Sequence, residues 1–204
     1  MTKRIKKVAV LGSGVMGSGI ACHLANSGLE VLMLDILPPN LDDQQKSNKT
    51  LRNRIADTSL ANAIKSKPAP LYDAAFATRI TTGNFEDDMD KISACDWIIE
   101  VVVERLDIKK LIFAQVDNLR KAGSLVTSNT SGIPIGQLAE GRSEDFKKNF
   151  CGTHFFNPAR YMALFEVIPH AGTDADVIDF WMHYGEVYLG KKAVLCKDTP
   201  AFIA

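Results

Sequence analysis

Between Lys7 and Gly28 the chain has few conformational options. Lys7–Gly12 (KVAVLG) is a short apolar run that stops at a glycine, and Gly12-Ser13-Gly14-Val15-Met16-Gly17 then leads into Val15 to Ser27, a stretch of small and apolar residues closed by Gly28. A GxGxxG spacing is weak evidence by itself. Placed after a strand and at the opening of a helix, it is the turn that seats a dinucleotide pyrophosphate on a helix N-terminus. Gly12 permits the tight turn, Gly14 lets the backbone approach phosphate, and Gly17 lets helix pack on strand. Val15 and Met16 add the first-turn N–H groups. Glu30–Asp35 (EVLMLD) reads as a second strand, and its Asp35 lies 23 positions beyond Gly12. A carboxylate there suits ribose hydroxyls and repels a 2′-phosphate, and Ile36, Leu37 and Pro38 supply no arginine to receive one. NAD is favoured over NADP. The bland alternative is a plain strand-to-helix turn with Asp35 as a cap.

The same alternation continues downstream. Arg79–Thr82, Asp96–Val103, Ser124–Ser128, Phe150–Phe156, Leu164–Pro169 and Ala193–Lys197 read as strands, with helices over Lys109–Lys121 and Ala175–Leu189. This pattern predicts an α/β chain built on a doubly wound, mostly parallel sheet covered on both faces. Residues 41–78 break the rhythm. They carry Lys46, Lys49, Arg52, Arg54, Lys65 and Lys67 and the break Lys67-Pro68-Ala69-Pro70, and they predict a protruding helical pair inserted after the second strand. Those cations serve equally well as a solvated face or as contacts for an anionic group. The apolar ending, Thr199 to Ala204, reads as a cut within a longer polypeptide.

Composition narrows the classes. At 204 residues and 46% apolar, the chain can bury a core without disulfides or metals. Its 24 basic residues equal its 24 acidic ones, which argues against nucleic acid or an anionic membrane as partner. No apolar stretch approaches the roughly 20 residues of a membrane span, and the basic opening Lys3, Arg4, Lys6 and Lys7 runs straight into the glycine turn, without room for a signal peptide. Cys22, Cys95, Cys151 and Cys196 are scattered, without a CxxC pair. They are expected to be reduced, buried thiols of a cytoplasmic protein, with no metal site.

Among four histidines, His23, His170 and His183 read as packed or solvated rings. His154 stands apart, near the end of a late strand in Gly152-Thr-His-Phe-Phe-Asn-Pro158, where open α/β sheets gather their ligands. Glu166 lies inside the apolar run Leu164–Ile168 and needs a partner. Paired with His154 it would orient the ring, either as a structural ion pair or as an acid–base pair; the residues alone leave both open. Phe155, Phe156 and Trp97 read as core.

Four segments together carry a resemblance. GSGVMGSGIA (Gly12–Ala21), SNTSGIPI (Ser128–Ile135), GTHFFNPARYMALFEVIP (Gly152–Pro169) and KDTPAFIA (Lys197–Ala204) resemble the NAD-binding N-terminal domain of the L-3-hydroxyacyl-CoA dehydrogenases of fatty acid β-oxidation. The motifs stand in family order over essentially the whole chain, and HFFNP with its downstream glutamate is far more specific than the glycine loop. The insert and Gly83–Met89 are most like bacterial members, in which an enoyl-CoA hydratase domain is often joined to the dehydrogenase. The resemblance implies a Rossmann-type domain, NAD as cofactor and an acyl-CoA substrate. It implies His154 as catalytic base, Glu166 as its partner and Ser131 as the group holding the substrate's 3-oxygen. It places Glu104 and Lys109 on the nicotinamide ribose side, with Asn129 among the cofactor-binding residues. It further implies an asparagine one position past Ala204 and a following helical domain that closes over the acyl chain and forms a homo-oligomer. Ala201 replaces a usual glycine and Gly132 a frequent serine; both bear on local backbone or substrate preference rather than reaction type. Two other readings remain: an NAD-binding module or inactive fragment without turnover, and another β-hydroxyacid dehydrogenase, whose usual catalytic lysine on a later helix fits HFFNP poorly.

Overall fold

Strand β1 (Lys7–Leu11) buries alternate residues in opposite layers, so nearly all of it must be apolar. Val8 and Val10 join one core with Ile20, Leu24 and Trp181, while Ala9 and Leu11 join the other with Phe113, Val116 and Phe146. Each fully buried aliphatic side chain contributes about 1.5–3 kcal/mol relative to exposure, which makes this central strand the anchor of both layers. The computed structural model describes residues 4–199 and Phe202, apart from the side chain of residue 44. Residues 1–3, Pro200, Ile203, Ala204 and Ala201, which stands for a usual glycine, lie outside the described residues.

Helix α1 (Val15–Asn26) follows β1 and leads to β2 (Glu30–Asp35). Three helices come next, α2 (Asp43–Lys46), α3 (Lys49–Arg52) and α4 (Arg54–Lys65), then a 3₁₀ turn (Ala74–Arg79), β3 (Ile80–Asn84), α5 (Phe85–Asp88) and a second 3₁₀ turn (Met89–Ala94). The second half comprises β4 (Trp97–Glu100), α6 (Leu106–Leu119), β5 (Leu125–Ser128), α7 (Ile135–Ala139), α8 (Glu144–Lys148), β6 (Phe150–Phe155), β7 (Leu164–Pro169), α9 (Ala175–Val187) and β8 (Lys192–Leu195). The sheet order is β3-β2-β1-β4-β5-β6-β7-β8, and among these neighbours only β6 and β7 run antiparallel. The order reverses at β1, which opens a crevice beyond the carboxyl ends of β1 and β4, the usual ligand position in such sheets.

The insert over residues 41–78 is helical as expected, but it is not the protruding pair. The structure forms two single-turn helices and one longer helix, α4, which does not protrude. Leu60, Ala63 and Ile64 of α4 pack on the core shared with α1, and Thr82 Oγ1 on β3 donates to Asp57 Oδ1 at 2.5 Å. Two of the six cations are paired: Arg52 grips Asp87 at 2.6 and 2.7 Å, and Lys46 meets Asp43 at 2.8 Å. Polar composition marked a surface, but the apolar stripe of α4 makes that surface the outer side of a docked helix.

His23 lies inside α1 and is buried. Its Nε2–H donates to Leu189 O at 3.1 Å, and its Nδ1 has no partner among the described residues. Burial first, and then the nearby Lys191 ammonium, hold its pKa down from 6.5 to about 4. Between those values the unfolded chain takes up a proton that the folded chain refuses. Stability is therefore complete above pH 6.5 and falls as the pH drops toward 4, by roughly 3 kcal/mol for this one ring. His23→Gln should lose less stability than wild type in urea denaturation between those pH values. A gap between the two proteins that stays constant with pH would remove His23 from the acid response.

Candidate active site

The glycine loop sits where β1 and β4 diverge. Gly12 adopts φ +108°, and a Cβ on it would lie 2.6 Å from Val101 O. A Cβ on Gly17 would meet Gly12 O at 1.9 Å, whereas one on Gly14 would meet nothing within 4 Å. Two glycines are thus demanded by the protein itself. The third faces open space beside the N-terminus of α1, whose first turn has neither a side-chain cap nor an acidic residue. Beside it lies a cavity of about 410 Å³, lined in part by Gly14, Val15, Ser18, Asn62, Asn157 and Arg160. Asp35 closes the loop from the side: its Oδ2 accepts from the Ser13 amide and hydroxyl, both at 2.6 Å, and its Oδ1 from Ile36 N at 2.7 Å.

Farther along the same carboxyl edge, β6 and β7 place His154 and Glu166 directly opposite each other in the ladder. His154 Nδ1–H donates to Glu166 Oε2 at 2.7 Å, and Glu166 is fully buried. A carboxylate accepts, so this bond takes the Nδ1 proton and leaves Nε2 to face the serine turn. Ser131 Oγ lies 3.1 Å from that Nε2. Phe156 packs on the imidazole at 4.5 Å between ring centroids and Phe202 at 6.0 Å, while Phe155 is core. The assignment of Phe156 to the core is corrected accordingly: it is half-buried and walls the histidine. Burial, and then the charge of Glu166, push the Cys196 thiol up to about 11, so the sulfur keeps its proton.

A second polar network underlies Ser131. Lys109 is 1% exposed, and its ammonium donates to Glu100 Oε1 at 2.7 Å and Val102 O at 3.3 Å and pairs with Glu104 Oε2 at 3.2 Å. Glu104 Oε1 accepts from Thr130 Oγ1 at 2.5 Å, Ser131 N at 3.0 Å and Gly132 N at 3.2 Å. Partial burial acts to raise the Glu104 pKa, but the Thr130 hydroxyl and the Lys109 charge outweigh it and hold the carboxyl below its ordinary range. Asn129 Oδ1 accepts from Phe155 N at 2.8 Å, which ties the serine turn to β6. Lys109 and Asn129, expected on the cofactor side, brace the turn that carries Ser131, Lys109 through Glu104 and Asn129 by its bond to β6. Glu104 does the same with one oxygen while remaining half-exposed. Glu100, Ser128 and Thr130, absent from the sequence-derived site, complete this network. Among the described residues no group of three or more His, Cys, Asp or Glu is placed to hold a metal ion.

The family profile described as 3-hydroxyacyl-CoA dehydrogenase, NAD binding domain, matches residues 7–199. The chain belongs to this family of NAD-binding domains. A probable 3-hydroxyacyl-CoA dehydrogenase of Bacillus subtilis is 55% identical over all of this chain, and a putative fatty acid oxidation complex trifunctional enzyme of Rickettsia felis is 42% identical over all of it. Residues 1–204 span 27% of the length of each. The crystal structure of 3-hydroxybutyryl-CoA dehydrogenase from Escherichia coli K12 superposes with a TM-score of 0.74 at 30% identity, over 98% of this chain and 40% of that one. In a 3-hydroxyacyl-CoA dehydrogenase domain the cofactor is NAD, and the residues present fit it. The space a Cβ on Gly14 would fill and the uncapped amides of Val15 and Met16 suit a pyrophosphate, and Asp35 stands at the end of β2, where a ribose hydroxyl would reach it.

Proposed function

We propose that this chain is the cofactor-binding domain of an NAD-dependent enzyme that oxidises L-3-hydroxyacyl-CoA to 3-ketoacyl-CoA in fatty acid β-oxidation. The observation that carries the reading is the line Ser131–His154–Glu166, with contacts of 3.1 and 2.7 Å, on the carboxyl edge that also bears the glycine loop. When bound, NAD supplies the hydride acceptor. The protein's part is the proton. As the substrate 3-hydroxyl becomes a carbonyl, the lone pair of His154 Nε2 takes its proton. Glu166 holds Nδ1–H and compensates the imidazolium that results. Ser131 gives the same oxygen a second hydrogen bond and fixes its position. In the reverse direction the imidazolium returns the proton and supports the developing alkoxide.

The proposal extends to architecture and setting. Residues 1–204 are one NAD-binding domain; further sequence of the kind by which the relatives exceed this chain would supply a helical domain that closes over the acyl chain and makes the homo-oligomer. Four free, buried cysteines support a cytoplasmic setting.

The test is NADH formation from 3-hydroxybutyryl-CoA by the complete polypeptide and by residues 1–204, with NAD and with NADP. Turnover by the complete protein with NAD is expected. NADH binding without turnover by both proteins would instead make the chain a nucleotide-binding module. Asp35→Ala should raise the KM for NAD about tenfold or more and narrow the preference over NADP, because about 1.5 kcal/mol or more of charge-assisted hydrogen bonding is lost. An unchanged cofactor titration would refute that role for Asp35.

A further inference from the structure

We propose that Glu100 is a positioning residue for the reacting site, a sealed carboxylate that sets the pose of Ser131 from two sides at once. The inference rests on the acid–base reading of Ser131 and His154 given above. Glu100 ends β4 and is fully buried. It accepts from Lys109 Nζ and Val102 N at Oε1, both at 2.7 Å, and from Ser128 Oγ at Oε2, at 2.5 Å. One route to the turn runs through Ser128, whose hydroxyl oxygen accepts from Thr130 N at 3.2 Å, immediately before Ser131. The other runs through Lys109 to Glu104, whose Oε1 holds the Ser131 and Gly132 amides.

The strand itself has no use for this charge. The backbone pairs β4 with β1 and β5, and an ion pair so deep adds little stability over apolar side chains of the same volume. What it provides is direction. Two carboxylates share one ammonium, so Lys109 is drawn between them; without the charge of Glu100 it would settle on Glu104 and draw that carboxylate from the Ser131 amide. Burial pushes the Glu100 carboxyl upward, and the Lys109 ammonium leads the donors that favour its charged form.

The test is Glu100→Gln in the complete polypeptide, alone and combined with Ser131→Ala, read by kinetics and by amide NMR of Ser131 and Gly132. We expect kcat to fall about 10–100-fold with the KM for NAD within about threefold, and the double variant to be no slower than Ser131→Ala, because both act on one oxygen. Fully multiplicative losses, or a kcat within about twofold of wild type, would overturn the inference. The two amide resonances should move in Glu100→Gln whether or not the protein oxidises any thioester, and unchanged resonances overturn it even in an active enzyme. If wild type does not turn over while the resonances move, the dehydrogenase reading fails and the positioning by Glu100 stands. Should Glu100→Gln not fold, Ser128→Ala, which removes a single hydroxyl, must shift the same amides or the inference is lost.

Discussion

Replacing His154 by glutamine in the complete polypeptide is expected to lower kcat by about 10²–10⁴ and to leave NADH affinity within roughly threefold. Glutamine fills much of the imidazole's volume and can hydrogen-bond, but it cannot accept a proton near neutral pH. The separation of effects follows from placement: the ring touches Glu166, Ser131, Phe156 and Phe202, and none of these belongs to the glycine loop. Stopped-flow turnover and a fluorescence titration with NADH measure the two quantities separately. A variant that keeps kcat within a few-fold of wild type removes the imidazole from the chemistry.

Gly17→Ala should do the opposite, weakening cofactor binding ahead of any effect on the chemistry. Its Cβ would sit 1.9 Å from Gly12 O and 2.8 Å from Gly12 C, both backbone atoms that cannot rotate away. Gly12 cannot yield either, because its N–H donates to Leu34 O at 2.7 Å and it lies hard against Val101. Helix α1 must lift off the loop, at about 1–3 kcal/mol of stability or more, and NADH affinity should fall at least about tenfold. Gly14→Ala is the informative companion. With nothing within 4 Å of its Cβ, it should leave the Tm in place while still weakening NADH binding. Wild-type NADH affinity in Gly17→Ala would show that the loop tolerates what the geometry forbids.

The fold was legible wherever a strand is buried on both faces. Glu30–Asp35 and Leu164–Pro169 match their expected limits residue for residue, because a continuous apolar run bounded by polar residues has few other uses. The short helices α5, α7 and α8 escaped, since one turn carries too few residues to show a period. The insert's docking was hidden for a different reason: its charges are spread from Lys46 to Lys67 across three helices, and the stripe Leu60–Ala63–Ile64 that docks α4 is short. At the site, His154 and Glu166 were legible because a carboxylate within an apolar run must have a partner, and the partner is the residue facing it across the ladder. The same signal stood unread at Glu100, which closes the apolar run of β4. Its partner Lys109 lies nine positions on, beyond a loop, and nothing in residue order reveals that the two meet behind Ser131.

The reversal between β6 and β7 separates two things that enzymes often have to change together. His154 and Glu166 face each other through the register of a core ladder, so their distance is set by strands and is indifferent to the length of the hairpin connecting them. That hairpin carries Asn157, Pro158, Ala159 and Arg160, which line the cavity beside the glycine loop. A change in this hairpin would reshape that cavity while the distance between His154 and Glu166 stayed fixed by the ladder. The outline of the cavity and the spacing of the buried pair are thereby set by different parts of one pair of strands.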